Sequence, residues 1–185
     1  MSLGEAFSGT LEAARQGAEW AWADLYNLYA GPLTGYLSSR GASEPEDLAS
    51  DVFLQVARKI NDFQGDESSF RSWLYVIAHH RLIDERRARR RRPDMTELSE
   101  TASLRLRAGD VEEEAVERLT TEEVRDLLAK LTDAQQEVLA LRIIGGLTLV
   151  ETGEVLGKNV GAIKATQHRA VEALKALMDA KRVTR

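Results

Sequence analysis

Apolar residues recur at intervals of three and four along nearly the whole chain, the repeat of helices with one buried face, and only three prolines interrupt them. The first stripe joins Trp22, Leu25, Tyr26, Tyr29, Leu33, Tyr36 and Leu37, and Pro32 within it predicts a bend or a break. Ser43, Glu44, Pro45 and Glu46 read as a helix start, with a cap, a proline in the first turn and a capping-box glutamate. That helix is expected to run to about position 60, with Leu48, Val52, Phe53, Val56 and Ile60 inward and Asp47, Ser50, Asp51 and Gln55 on the other side. Residues 63–70, FQGDESSF, form a polar loop with a phenylalanine at each end, which predicts a loop held in shape. From about Ser69 a further helix carries Phe70, Trp73, Leu74, Ile77 and Ala78 on its apolar side, leaving Tyr75, His79 and Arg81 for other faces.

Residues 93–109 break this rhythm with a proline, several Ser/Thr and no helical stripe, so they read as a flexible linker between two small helical domains. A second set of helices begins at about Val111, opened by Glu112, Glu113 and Glu114 and striped by Val116, Leu119, Val124, Leu127, Leu128 and Leu131. Thr132 with Gln135, and Thr148 with Glu151, are spaced as capping boxes. Residues 149–170 then predict helix, turn and helix: Gly153 for a close crossing, Gly157 for the left-handed turn, Asn159 as the second cap and Ile163 as the plug between helices. With Ile163 inward, Val160, Ala170, Leu174 and Met178 fall on its side, and Lys164, Ala165, His168 and Arg169 point outward. The predicted fold class is therefore all-α, with domains at 1–92 and 111–185, a linker at 93–110, and a four-helix helix-turn-helix domain at the C-terminal end.

A chain of 185 residues with 43% hydrophobic content suffices for two small domains. It has no cysteine, so disulfide and thiol chemistry are excluded, and no apolar run approaches the ~20 residues that span a bilayer. The start carries no basic flank or apolar core of a signal peptide, so the expected location is cytoplasmic. Net charge of −5 argues at first against nucleic acid, but its distribution reverses that reading. Arg86, Arg87, Arg89, Arg90, Arg91 and Arg92 form one cationic block, and seven Lys/Arg lie between Val155 and the end, whereas the acids gather at 110–126. A basic helix with aromatic residues near one end suits single-stranded nucleic acid: cations for phosphate, rings for unstacked bases. A helix-turn-helix suits the duplex major groove.

Two stretches match one family together. Residues 24–92 contain DLYNLY, EDLASDVFLQV and FQGDESSFRSWLYVIAHHRLIDERR; residues 131–177 contain the capping boxes and the helix-turn-helix. The chain resembles the extracytoplasmic-function (ECF) branch of the bacterial sigma-70 family of RNA polymerase sigma factors. The resemblance implies a protein that binds core RNA polymerase, directs it to promoters and helps open the −10 DNA. It implies docking of Asp47, Leu48, Asp51 and Gln55 on the clamp helices of the β′ subunit, a further contact with the β flap, and a linker running toward the RNA exit path. It assigns −10 recognition and melting to Gln64, Gly65, Asp66, Glu67, Ser68, Trp73, His80, Arg81, Asp84 and Arg87, and −35 reading to Lys164, Ala165, Thr166, His168 and Arg169. It also implies association with the nucleoid as holoenzyme, and an anti-sigma factor is a partner that relatives commonly have.

The chain departs from the family pattern at Ser50-Asp51, where many relatives have Gln-Glu, at His80, where an Asn is common, and at Thr152-Gly153, where Ile-Ala is usual. A glycine at 153 is expected to soften its helix by up to ~1 kcal/mol. No cofactor is implied. His79, His80 and His168 form no HExxH, no phosphate-binding glycine loop is present, and His80 with Asp84 offers only two metal ligands, so an enzyme is not expected. A dimeric helix-turn-helix regulator accounts for the C-terminal half alone and has no need of FQGDESSFRSWLY. An α-helical adaptor leaves the arginine block unexplained.

Overall fold

The computed structural model describes residues 3–91 and 121–183. The linker expected at 93–110, the acidic opening at 112–114, and Arg92, Val116 and Leu119 lie outside them. Regular structure among the described residues is entirely helical, as the spacing predicts. The order is α1 (Phe7–Arg15, entered through a 3₁₀ turn, Gly4–Ala6), α2 (Glu19–Ser39), α3 (Pro45–Lys59), α4 (Glu67–Arg90), α5 (Thr121–Ala129), α6 (Asp133–Leu139, continued by a π-helical turn, Ala140–Ile144), α7 (Leu149–Leu156) and α8 (Val160–Val183).

The first helix was not foreseen, although Phe7, Leu11 and Ala14 are spaced for one buried face and are all buried. Phe7 packs on Phe70 with ring centroids 5.6 Å apart, and Phe70 also meets Tyr29 and Phe63, so one fully buried ring joins α1, α2 and α4. Burial of a side chain of this size contributes about 2–3 kcal/mol. Pro32 does not split α2, which runs unbroken through it with Leu25, Tyr29, Leu33, Tyr36 and Leu37 buried. Nor does Ser43 cap α3: Glu44 occupies that position without a side-chain bond, while Ser43 receives Arg89 on its hydroxyl and gives its N–H to Glu85. Helix α4 starts earlier than expected because Asp66 caps it, accepting the Ser69 N–H at 2.8 Å.

In the C-terminal domain the local signals hold. Both capping boxes form, Gly157 adopts φ 62°, and Asn159 Oδ1 accepts the Ala162 N–H at 2.8 Å. Ile163 and Ala170 are fully buried between the helices, but Val160 (41% exposed), which opens α8, and Met178 (43%), toward its other end, are not inward. Gly153 does more than soften α7: a Cβ there would stand 2.6 Å from the Lys158 carbonyl oxygen. Gly153→Ala is therefore expected to lower stability by about 1–2 kcal/mol, overpacking outweighing the gain in helix propensity. Thermal denaturation of the two proteins checks this, and a higher Tm for the alanine form contradicts it.

The sequence pattern does not predict how the two halves meet. Helix α7 lies along α4, and the π turn lies on α2. Leu141, Leu147 and Val155 join the N-terminal core, and Tyr75, expected on an outer face of α4, is 1% exposed against them. A Cβ on Gly35 would sit 3.0 Å from an Ile144 methyl, and one on Gly145 would sit 2.8 Å from the Leu141 carbonyl oxygen and 3.0 Å from the Tyr75 ring, so the seam is tight at Gly35 and leaves no room for a side chain at Gly145. Around it lies a polar lock. Arg40, 4% exposed, donates from Nε to Glu137 at 2.8 Å and from Nη1 to Gln136 at 2.9 Å, and it also pairs with Asp133. Tyr36 donates to the other Glu137 oxygen at 2.6 Å, and His79 Nδ1 stands 3.3 Å from that oxygen.

Candidate nucleic-acid interface

Three surfaces emerge from this frame. The first is a cleft at the end of α3, built by the turn into α4 and by α4 itself. Lys59, Asp62, Phe63, Gln64, Ser69, Ser72, Trp73 and Val76 line it. Ser69, Ser72, Trp73 and Val76 share one helical face by their spacing of three and four. Phe63 and Trp73 stack with centroids 5.0 Å apart and planes 21° apart, and Trp73 also meets the edge of Phe70. The turn is rigid for local reasons. Gly65 has φ 150°, open to glycine, and a Cβ there would clash with Ser69 at 2.7 Å, while the Asp66 carboxylate takes both the N–H and the hydroxyl of Ser69. These bonds also hold the Asp66 carboxyl below its ordinary range.

Of the residues expected to handle the −10 strand, Gln64 and Trp73 reach the cleft, and the others have different surroundings. Asp66 caps α4. Glu67 accepts the Leu3 and Gly4 N–H groups and the Tyr29 hydroxyl, fixing the chain's first turn to α4. Ser68 donates to Glu151 of α7 at 2.7 Å. Arg81 donates to Gln55 at 3.0 Å, joining α4 to α3. His80 is exposed, and Asp84 and Arg87 form an exposed pair 3.7 Å apart. The cleft also takes in Lys59, Asp62, Phe63, Ser69, Ser72 and Val76, none of them in the expected set. The face 69-72-73-76 was legible from helical spacing, whereas Lys59 needed the α3–α4 packing.

The second surface is acidic. Ser43, Glu44, Asp47, Leu48, Ser50 and Asp51 line a shallow groove beside Glu85. Three of the four residues expected to dock on polymerase are thus adjacent, and Gln55 is instead held by Arg81. The third surface is the outer face of α8. Lys164, Ala165, His168 and Arg169 are exposed there and Thr166 is half-buried, with Arg169 donating to its hydroxyl at 3.4 Å. Gln167, turned toward the domain, accepts from Arg142 at 3.1 Å.

Two carboxylates lock the first domain to the second. Burial alone would raise the Glu137 carboxyl, but the hydrogen bond from His79, the Arg40 charge and the Tyr36 hydroxyl hold it at about 2. Burial likewise opposes ionisation of Glu151. The Thr148 N–H, the Ser68 hydroxyl and Arg71, whose Nη2 lies 2.6 Å away, outweigh it and keep that carboxyl below its ordinary range. Both are thus charged at neutral pH, and the contacts they hold weaken only as pH falls below the ordinary carboxylate range.

A helix-turn-helix with a basic face, in one chain with a helical domain that carries an aromatic cleft and an arginine-rich helix, defines a two-part DNA-binding protein. The sequence matches the Sigma-70 region 2 family over residues 25–92 and the Sigma-70, region 4 family over residues 127–176. It is 36% identical over 155 residues to the RNA polymerase sigma factor YlaC of Bacillus subtilis, covering 82% of this chain and 88% of that one. It is 34% identical over 174 residues to the ECF RNA polymerase sigma factor BldN of Streptomyces coelicolor, covering 91% of this chain but only 64% of that one. The chain belongs to the ECF sigma factors of the sigma-70 family, whose work is promoter-specific initiation of transcription with RNA polymerase. Its fold is that of CnrH, solved in complex with the cytosolic domain of CnrY, at a TM-score of 0.67 and 24% identity, covering 95% of this chain and 99% of that one.

Proposed function

We propose that this chain binds core RNA polymerase, places it on a set of promoters by contacts at −10 and −35, and captures the unstacked −10 strand. The observation that carries the reading is the rigid cleft around Phe63 and Trp73 on a helix that ends in arginines. Pulling a base from the stack costs a few kcal/mol, and a pocket that is already ordered offsets that cost without paying for its own folding. Residues 1–92 and 111–185 act as the two working domains, with 93–110 linking them. Asp47, Leu48 and Asp51 meet the β′ clamp helices, the second domain meets the β flap, and the arginines that close α4 track phosphate. Catalysis stays in the polymerase, to which this chain supplies specificity. The protein works in the cytoplasm, on the nucleoid when in holoenzyme, and the complexes of CnrH with CnrY and of RpoE with the anti-sigma factor NepR favour an anti-sigma partner here as well.

The test is run-off transcription by purified core polymerase on a promoter library, with and without this protein. Selective transcripts that need the protein support the reading, and unchanged transcript patterns refute it. Lys164→Ala with Arg169→Ala is expected to remove two charge-assisted contacts and weaken use of −35-dependent promoters about 10-fold or more, with the fold intact because both side chains are exposed. Unaltered promoter ranking in the double variant would show that α8 reads nothing through them.

A further inference from the structure

The wall of the cleft that carries Phe63 is held from behind by the first helix. Arg15, the last residue of α1, donates from Nε to the Ile60 carbonyl at 3.3 Å and from Nη2 to the Phe63 carbonyl, while its Nη1 lies 3.3 Å from the Glu12 carboxylate. Every nitrogen of the guanidinium thus has a partner. The end of α1 is itself fixed, because Phe7, Leu11 and Ala14 are buried and the Trp22 indole donates to the Ala14 carbonyl at 3.0 Å. All of these bonds lie within the first domain.

The two carbonyls matter for different reasons. Ile60 closes α3, and carbonyls at a helix C-terminus lack intrahelical partners and favour a cation. The Phe63 carbonyl opens the turn 63–67 that leads into α4. At the other end of that turn Glu67 takes the Leu3 and Gly4 N–H groups, each at 2.9 Å. The segment 3–15, which precedes the region 2 match at 25–92, therefore grips the turn at both ends. A planar guanidinium serves two carbonyls in one fixed geometry, which an ammonium on a flexible stem does not. Fixing the Phe63 backbone restricts the direction of its ring, and that ring is the one stacked on Trp73.

Resting on the cleft's proposed role at −10, we infer that Arg15 is a positioning residue for strand capture. Through the Phe63 carbonyl it holds the Phe63 ring against Trp73, so that the indole meets an unstacked base in one orientation. It acts through Phe63 and not by touching the base.

Arg15→Ala in the full chain is expected to cut open-complex formation with core polymerase about 5- to 10-fold, part of what stacking on the indole supplies, while closed-complex binding changes less than about 2-fold. Arg15→Lys, which can serve one carbonyl at a time, should recover part of the loss. The side chain is 26% exposed, so the domain should stay folded without it. The deciding measurement is the double variant. In Trp73→Ala the stacking partner is gone, so adding Arg15→Ala should cost less than about 2-fold more, because effects that pass through one contact do not multiply as independent ones do. With fluorotryptophan incorporated, the fluorine resonance of Trp73, assigned by its loss in Trp73→Phe, should also move in Arg15→Ala. Equal losses in closed and open complexes, losses that multiply in the double variant, an unmoved Trp73 resonance, or an unfolded Arg15→Ala protein each overturn the assignment. A resonance that moves in a protein that initiates at no promoter leaves the brace on Phe63 standing and overturns the −10 role instead.

Discussion

Trp73→Ala is expected to cut open-complex formation by one to two orders of magnitude while leaving closed-complex binding nearly intact. The indole stacks on Phe63 and edges onto Phe70, with one side open to the cleft. Stacking of an unpaired base on such a ring is worth ~1–3 kcal/mol by alanine substitution, about 5- to 150-fold in affinity. The duplex contacts proposed above lie elsewhere, on α8, so on that reading recruitment to closed promoter DNA should change little. Permanganate reactivity of unpaired thymines against duplex band-shift of the holoenzyme separates the two steps. Equal losses in both would mean that Trp73 holds the domain together instead of holding a base. Trp73→Phe, which keeps a ring, should recover most of the opening.

Ile163→Ala has the largest expected effect on stability. The side chain is fully buried between α7 and α8, where the Gly153 crossing leaves no slack for collapse around a void. Such truncations cost about 2–5 kcal/mol, a large share of what a domain of this size holds in reserve. Denaturant titration should show the loss, and −35 duplex binding should fall with it. A midpoint within 0.5 kcal/mol of wild type would mean that the plug between the helices is elsewhere.

The C-terminal domain was legible because its signals are local. A Thr with a Gln or Glu three residues on, a glycine at a left-handed turn and an Asn cap each act within one or two turns. Helical spacing likewise gave most of the buried faces of α2, α3 and α4, although Tyr26, expected on the α2 stripe, is 48% exposed. What sequence spacing misread was decided by partners far along the chain. Ser43 has the features of a cap and instead serves α4 through Arg89 and Glu85. Tyr75 lies off the apolar stripe of α4 and is buried because α7 and the π turn cover it. Glu151 was read as a capping residue, which it is, but only one of its oxygens serves Thr148, and the other holds Ser68 and Arg71. Asp66 and Glu67 fell within a loop expected to touch DNA and turn out to order that loop and the chain's start.

The arginines at the end of α4 bear on ionic strength. Each cation that meets a single-strand phosphate releases condensed counterions and adds about 0.7 to the slope of log affinity against log salt, so six would add on the order of 4. Arg86, however, donates to the Arg40 carbonyl, and Arg89 donates to Ser43 and to the Gly41 carbonyl, so both bind the α2–α3 turn. The block should therefore behave in a salt titration as four phosphate contacts or fewer, a slope under about 3. A promoter complex of this protein should then tolerate rising salt better than its run of arginines implies.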